Sequence, residues 1–392
     1  MPWKESDVMS ERTKFIARLL DGERMTDLCR EFGISRKTGY KLAERYAKAG
    51  PHGLYDRSRR PKRSPNRTAG SVIQRIVRLR RRYPTWGPKK LRSLLETREP
   101  EVRWPAASTI GVILKDAGLV DGRKRRRRTW PTPPSERKAS EAPNELWCMD
   151  FKGQFRLCNR QYCYPLTVTD HFSRYLLGCE ALENTRTEPT AHALELIFHE
   201  HGLPHRLRSD NGSPFASIGL GGLSRLAVWL MRLGIKLERI EPGHPEQNGR
   251  HERMHLTLKQ ETTRPAAANM LLQQARFDDF RAQFNDVRPH EALQMQPPTA
   301  VHVSSNRRLP EHLPPLVYPL HDIQRTVSNN GCIRMNNRNL YVSTALVGVE
   351  IGLRQLELHT WLLSFMDYDL AYLDVEQGTL VPIDQAPPIA VV

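Results

Sequence analysis

Apolar positions in the first 120 residues recur at three- and four-residue intervals, which predicts helices; from about residue 143 they alternate, which predicts strands. In TDLCREFGISRKTGYKLAERYAKAG (26–50), Leu28 and Phe32 stand four apart. Gly33 then permits a sharp turn, Ser35 can cap a new helix running through Tyr46, and Gly50-Pro51 ends it. Two short helices joined at a glycine read as a helix-turn-helix. A second unit follows. SVIQRIVRLRRRYP (71–84) puts Val72, Ile73, Ile76, Val77 and Leu79 on one side and most of five arginines on the other. Pro88 suits the first turn of the next helix, and a third is expected to start at Ser108-Thr109 and stop at Gly118.

The texture changes at 143. NELWCMDFKGQF and RQYCYPLTVTDHFSRYLLGCEAL read as successive strands, TEPTAHALELIFHEHGLP as a helix, and HRLRSDNGSPF as a strand running into a loop. LSRLAVWLMRLGIKLERI is a helix and then a strand, EPGHPEQNG a loop, and RHERMHLTLKQET the start of a helix. Strands first, then strand–helix alternation, predict a mixed α/β sheet. Beyond about 305 the pattern is strands alone, which predicts a small appended barrel. The expected layout is therefore a helix-turn-helix domain at 1–62, a second at 66–122, a basic Pro-rich linker at 123–142, an α/β core at 143–305 and a β-rich domain at 306–392.

Charge sharpens this picture. With 60 Lys+Arg against 43 Asp+Glu, the chain carries a net charge of +17. The excess is rich in arginine and clustered, as in RKRRRR (123–128), so the natural partner is a polyanion, DNA or RNA. Ser35, Arg36, Lys37 and Lys41 at the second helix of the first unit are the candidates for DNA contact, and Arg125, Arg126, Arg127 and Arg128 are expected to track the backbone. The six cysteines form no C-x-x-C pair, which argues against structural zinc and for free thiols. The N-terminus lacks the apolar stretch of a signal peptide, and the longest apolar run, LAVWLM (226–231), is too short to cross a bilayer. A cytoplasmic, nucleoid-associated protein without membrane contact is expected.

Three acids stand out by position: Asp150 in the first core strand, Asp210 where a strand meets its loop, and Glu252 in the first turns of a helix. A strand, a strand end and a helix can converge at one edge of a mixed sheet. Clustered carboxylates repel unless a cation joins them, and oxygen ligands suit Mg²⁺ or Mn²⁺. Two such ions support phosphodiester chemistry. Asp170 reads instead as the organiser of a turn with Ser173 or Arg174, and Glu238, Glu241, Glu261 and Glu291 as surface or helix-face charges.

WCMDFKG, SDNGSPF and PGHPEQNGRHERMHLTLK resemble the integrase core of DDE transposases, shared by bacterial insertion sequences and retroviral integrases. The resemblance extends over nearly the whole chain and is most specific between about 143 and 300. It implies an RNase H-like core with a mixed five-stranded sheet, Asp150, Asp210 and Glu252 as the catalytic, metal-binding triad for two Mg²⁺ (or Mn²⁺) ions, and a DNA-contacting lysine at Lys259. Asn248 and Arg250 are expected to join Lys259 at the DNA. The implied activity is cleavage at the ends of an insertion sequence and joining of the 3′-hydroxyls to target DNA. Its partners are transposon-end DNA, target DNA and at least one further copy of the chain. Between Asp210 and Glu252 lie 41 residues, longer than the usual interval, and SIGLGGLSRL can hold the excess. Glu246 would restore the shorter interval, but it sits in the loop, whereas Glu252 leads a helix ending in Leu-Lys.

The same helix spells HERMH (251–255), the His-Glu-x-x-His of zinc peptidases. Leu258 stands where the extended form of that motif needs glycine, and a peptidase has no use for paired helix-turn-helix units. A zinc peptidase and a catalytically inactive DNA-binding regulator are the two rival readings.

Overall fold

The computed structural model describes residues 7–58, 67–120, 140–217, 219–240 and 249–383. The chain divides into two compact units after Thr68.

The first unit holds α1 (Val8–Leu20), α2 (Met25–Glu31) and α3 (Arg36–Ala49). Ser35 caps α3 as expected, its Oγ accepting from Thr38 N at 3.2 Å. Gly33 makes the turn at φ +64°. Phe15, Ile16, Leu28, Cys29, Leu42 and Leu54 form the core. A Cβ on Gly39 would lie 2.7 Å from both Cys29 Sγ and Met25 Sδ, so α3 approaches α2 closely enough that only glycine fits. Arg36, Lys37, Tyr40 and Lys41 of α3 are exposed.

The second unit opens with α4 (Gly70–Arg82), α5 (Pro88–Arg98) and α6 (Ala107–Asp116), packed around Ile76, Trp86, Leu91, Trp104 and Ile110. Pro88 does start α5; α6 begins at Ala107, just ahead of the expected Ser108. The central sheet contains β1 (Leu146–Phe151), β2 (Phe155–Arg156), β3 (Tyr162–Asp170), β4 (Leu176–Leu182), β5 (Arg206–Ser209) and β6 (Lys236–Arg239). Its main path is β4-β3-β1-β5-β6, with two-residue β2 beside the start of β3. β1 runs antiparallel to β3 and parallel to β5. The parallel crossovers carry α7 (Thr187–His201) and α8 (Arg225–Arg232), which cover the face of Trp147, Met149, Leu166 and Val168. α9 (Gly249–Thr262) and α10 (Met270–Ala282) cover the other face through Met254, Leu258, Phe277 and Phe280.

The expected C-terminal barrel is not found. β7 (Ile323–Thr326), β10 (Glu350–Gln355), β11 (Thr360–Phe365), β12 (Tyr368–Asp374) and β13 (Thr379–Pro382) make an open antiparallel sheet, β13-β12-β11-β10-β7, beside a hairpin of β8 (Cys332–Met335) and β9 (Arg338–Tyr341). Leu223, Ala227, Val228 and Met231, in and beside α8, share one core with Ile351, Leu353, Leu363 and Phe365 of this sheet. A helix of the central core thus buries the face that barrel closure would have buried. All six cysteines are unpaired. No helix among the described residues is long and apolar enough to cross a membrane.

Candidate active site

The strand register builds the site. Cys148 of β1 lies beside Arg208 of parallel β5. Two residues further, each strand reaches an aspartate, Asp150 on β1 and Asp210 just past β5. Both therefore stand at the same end of neighbouring strands, whose backbones run about 4.8 Å apart. Asp210 is fixed by its turn: Gly212 N donates to its Oδ1 at 3.2 Å, and Asn211 Nδ2 donates to Ile240 O at 2.7 Å. α9 crosses this face. Its His251, Met254, His255 and Leu258 are buried, while Glu252 and Lys259 stay exposed. Asp150, with its side chain 20% exposed, has its carboxyl pushed up to about 7. Burial is the main cause and the negative charge of Asp210 the next; Glu252 adds to both, while the Phe151 amide and Lys152 pull the other way. The three acids picked out in the sequence therefore share one electrostatic neighbourhood.

Two histidines anchor α9 there. His251 and His255 stack edge-on, with ring centroids 4.6 Å apart. Thr167, opposite Asp150 on β3, donates its hydroxyl proton to Asp150 O at 3.0 Å. That hydroxyl also lies 2.7 Å from Nε2 of both histidines. With its one proton given to the carbonyl, it accepts from both Nε2–H groups. His251 Nδ1 then accepts from Thr169 Oγ1 at 2.8 Å, and His255 Nδ1 faces Asp150 Oδ2 at 3.8 Å. Burial drives His251 down to about 3 and His255 to about 2, so both are neutral near pH 7. A zinc peptidase needs its metal about 2.0–2.1 Å from both histidines; here the Thr167 hydroxyl occupies the point between them.

Ligand atoms of Asp150, His251 and His255 lie within 4.8 Å of one another. His251 has both nitrogens engaged by threonines, which leaves Asp150 and the His255 Nδ1 lone pair. A buried carboxyl whose ionisation is opposed by two neighbouring acids fits a divalent cation, because the cation turns that repulsion into coordination.

The expected DNA contacts divide into three sets. Ser35, Arg36, Lys37 and Lys41 are exposed on α3, and the three cations have no ion pair among the described residues. Lys259 is exposed on the same side of α9 as Glu252, and Arg250 Nη1 lies 3.2 Å from His171 Nε2. Arg125, Arg126, Arg127, Arg128, Asn248, the alternative acid Glu246 and Glu241 lie outside the described residues. Asp170 organises its turn as expected, accepting from Ser173 N and Oγ, both at 2.6 Å. Two of the acids read as surface or helix-face charges, Glu238 on a strand and Glu261 on α9, are half-buried structural partners. Glu238 pairs with Arg206 and Arg208, and Glu261 pairs with Arg288 at 2.9 Å. The sequence reading missed Thr167 and Thr169; their spacing of two in a buried strand was the available signal.

Residues 140–245 and 233–298 each match a family model described as an integrase core domain. Residues 11–62 match a helix-turn-helix domain and 38–114 a homeodomain-like domain. The insertion element IS476 uncharacterized 39.2 kDa protein of Xanthomonas euvesicatoria is 28% identical over 239 residues, which cover 60% of this chain and 65% of that protein. The insertion element IS407 uncharacterized 31.7 kDa protein of Burkholderia multivorans is 26% identical over 58% of this chain and 79% of its own length. Among solved structures, the HTLV-2 integrase catalytic core domain in complex with magnesium is 15% identical, with 42% of this chain and 99% of that one covered, at a TM-score of 0.34.

Proposed function

From its place among integrase-core proteins with helix-turn-helix domains ahead of the core, we propose that this chain is the transposase of an insertion sequence, working at Asp150, Asp210 and Glu252. The observation that carries the reading is Asp150. It is a half-buried carboxyl within range of two further acids, near the end of a strand that runs parallel to the one leading to Asp210.

In this reading the three carboxylates hold two Mg²⁺ or Mn²⁺ ions, which when bound supply Lewis-acid activation at a phosphodiester. The chain's own residues do the rest. α3 enters a major groove at the element's terminal repeats, with Arg36, Lys37 and Lys41 on phosphates or base edges. Lys259 and Arg250 contact the strand lying across α9. The buried histidines, locked on Thr167 and Thr169, hold α9 so that Glu252 faces the aspartates. Water cleaves the phosphodiester at the element end and leaves a 3′-hydroxyl. That hydroxyl then attacks a target phosphodiester: one P–O bond forms as another breaks, and the proton lost by the attacking hydroxyl is matched by one taken up by the departing 3′-oxygen of the target strand. Two ends must be joined together, so the working form is at least a dimer.

The test is strand transfer by the purified chain on a labelled duplex of its element's end with Mg²⁺, alongside a binding measurement. Wild type is expected to join, and Glu252→Gln to bind normally without joining. Binding without joining by wild type would make the chain a regulator. Joining by Glu252→Gln at the wild-type rate would remove Glu252 from the site.

A further inference from the structure

A cavity of 810 Å³ lies beside the carboxylate site, bounded by α5, the turn after β3, the outer side of α9 and the segment 284–292. Lys90, Arg174, Arg250, Arg253, Arg288 and His290 line it. The inference rests on the DNA-handling reading above and deepens it. We propose that this cavity is a phosphoryl-anion site, seating a phosphate of the DNA strand held against α9 or a free phosphate compound of the same chemistry.

Charge balance is the argument. Of the acids nearby, Asp170 is taken by Asn144 N at 2.8 Å and by Ser173, Glu261 by Arg288 and Thr85, and Glu291 by Lys89. Lys90 and Arg253 have neither an ion pair nor a side-chain hydrogen bond among the described residues. Arg174 and Arg250 both converge on His171, where the Arg174 guanidinium donates to the His171 carbonyl and that of Arg250 reaches the carbonyl and the ring. His290 Nε2 is buried without a partner among the described residues. Crowding shows in the cations themselves. Burial, and then Arg288, drives Lys90 down to about 8, and burial, and then Arg250, drives Arg174 down to about 10. Among the described residues Lys90, Arg174, Arg250 and Arg253, gathered from separate elements, have no carboxylate paired with them, an arrangement that suits an anion from outside. Phosphate oxygens, which guanidinium and ammonium groups can share, suit that arrangement.

Lys90 also provides the readout, because a depressed ammonium is an unusually reactive amine near neutral pH. The full-length chain, in EDTA at low salt, is treated with an amine-acylating reagent, and Lys90 labelling is followed by mass spectrometry. The probes are a short 5′-phosphorylated oligothymidylate and inorganic pyrophosphate. The oligonucleotide is expected to slow Lys90 labelling about tenfold, with protection fading as salt rises. Arg253→Gln, a change at an exposed and unpaired residue, should weaken that protection several-fold without moving the unfolding temperature. Protection by the oligonucleotide alone assigns the site to a strand, and by pyrophosphate alone to a free phosphate compound; protection by both shows that the phosphoryl group suffices. Protection by neither overturns the proposal, whether or not the oligonucleotide binds elsewhere. No cleavage is read, so failure of the proposed catalytic acids would leave this outcome unchanged.

Discussion

Asp150 and Asp170 sit on adjacent strands of one ladder, and their surroundings differ. Asp170 pairs across with Trp147 at one end of the β1–β3 contact, and Asp150 pairs with Thr167 one step from the other end. Burial raises both carboxyls. At Asp170 the opposing influence is hydrogen bonding: Ser173 N and Oγ and Asn144 N all donate to it. At Asp150 the neighbours are two more acids, which push in the same direction as burial. Burial alone does not separate a site from a scaffold. An acid surrounded by donors finishes a turn, while an acid surrounded by acids is waiting for a cation.

The largest effect that would break this contrast is on activity. Asp150→Asn is expected to lower strand transfer by about 10³-fold or more, on the scale of the several kcal/mol a metal ion contributes. Its unfolding temperature should hold or rise, since like-charge repulsion is removed. Asp170→Asn should do the reverse. One amide oxygen cannot accept what two carboxylate oxygens accept, and the loss of buried hydrogen bonds should cost about 1–3 kcal/mol of stability. Its activity per folded molecule should survive. Thermal unfolding and strand transfer on both variants check this, and loss of activity in folded Asp170→Asn would erase the distinction.

A smaller effect lies in pH. A carboxyl lifted in the folded state from 3.8 to about 7 contributes stability that is full below pH 3.8 and is lost as pH rises through 7. The buried histidines work in the opposite sense. Their folded values lie below 6.5, so their contribution is present above pH 6.5 and is lost as pH falls toward 3. The two overlap, so the useful quantity is a difference. Without divalent metal, Asp150→Asn should gain stability relative to wild type as pH rises from 4 to 7, read by chemical denaturation at each pH. A difference that stays flat would mean that Asp150 ionises freely and that its acidic neighbours are too distant to matter.

What the sequence made legible follows from range. The Ser35 cap, the Gly33 turn and the Pro88 start are set within a few residues, and each stands where the pattern put it. Asp150 and Asp210 could be chosen because strand ends are readable from alternation. Asp170 could be set aside because Ser173 is three residues away. The misreadings involve distant partners. Glu238 meets Arg208 across 30 residues and Glu261 meets Arg288 across 27, and no local pattern shows that either acid is half-buried. Alternating apolar residues after 305 are the same for a closed barrel and an open sheet. What decides is the cover, and that cover comes from α8, about a hundred residues earlier.

The smallest effect concerns the bond that joins Asp150's strand to Glu252's helix. Thr167 reaches His251 and His255 from 84 and 88 residues away. Thr167→Val keeps the shape of the side chain and removes the oxygen that two buried Nε2–H groups share. Each would then be left without an acceptor, so a stability cost of about 1–3 kcal/mol is expected. Thr167→Ser restores the oxygen and should recover most of it. The activity of folded Thr167→Val should fall through looser placement of Glu252, and by far less than in Asp150→Asn, since every carboxylate is still present. Comparing strand transfer at low and saturating Mg²⁺ separates these cases. If added metal restores Thr167→Val but not Asp150→Asn, Thr167 positions the acids. If both stay equally inactive, Thr167 belongs to the reacting centre itself, and the line between site and scaffold moves one residue deeper into the sheet.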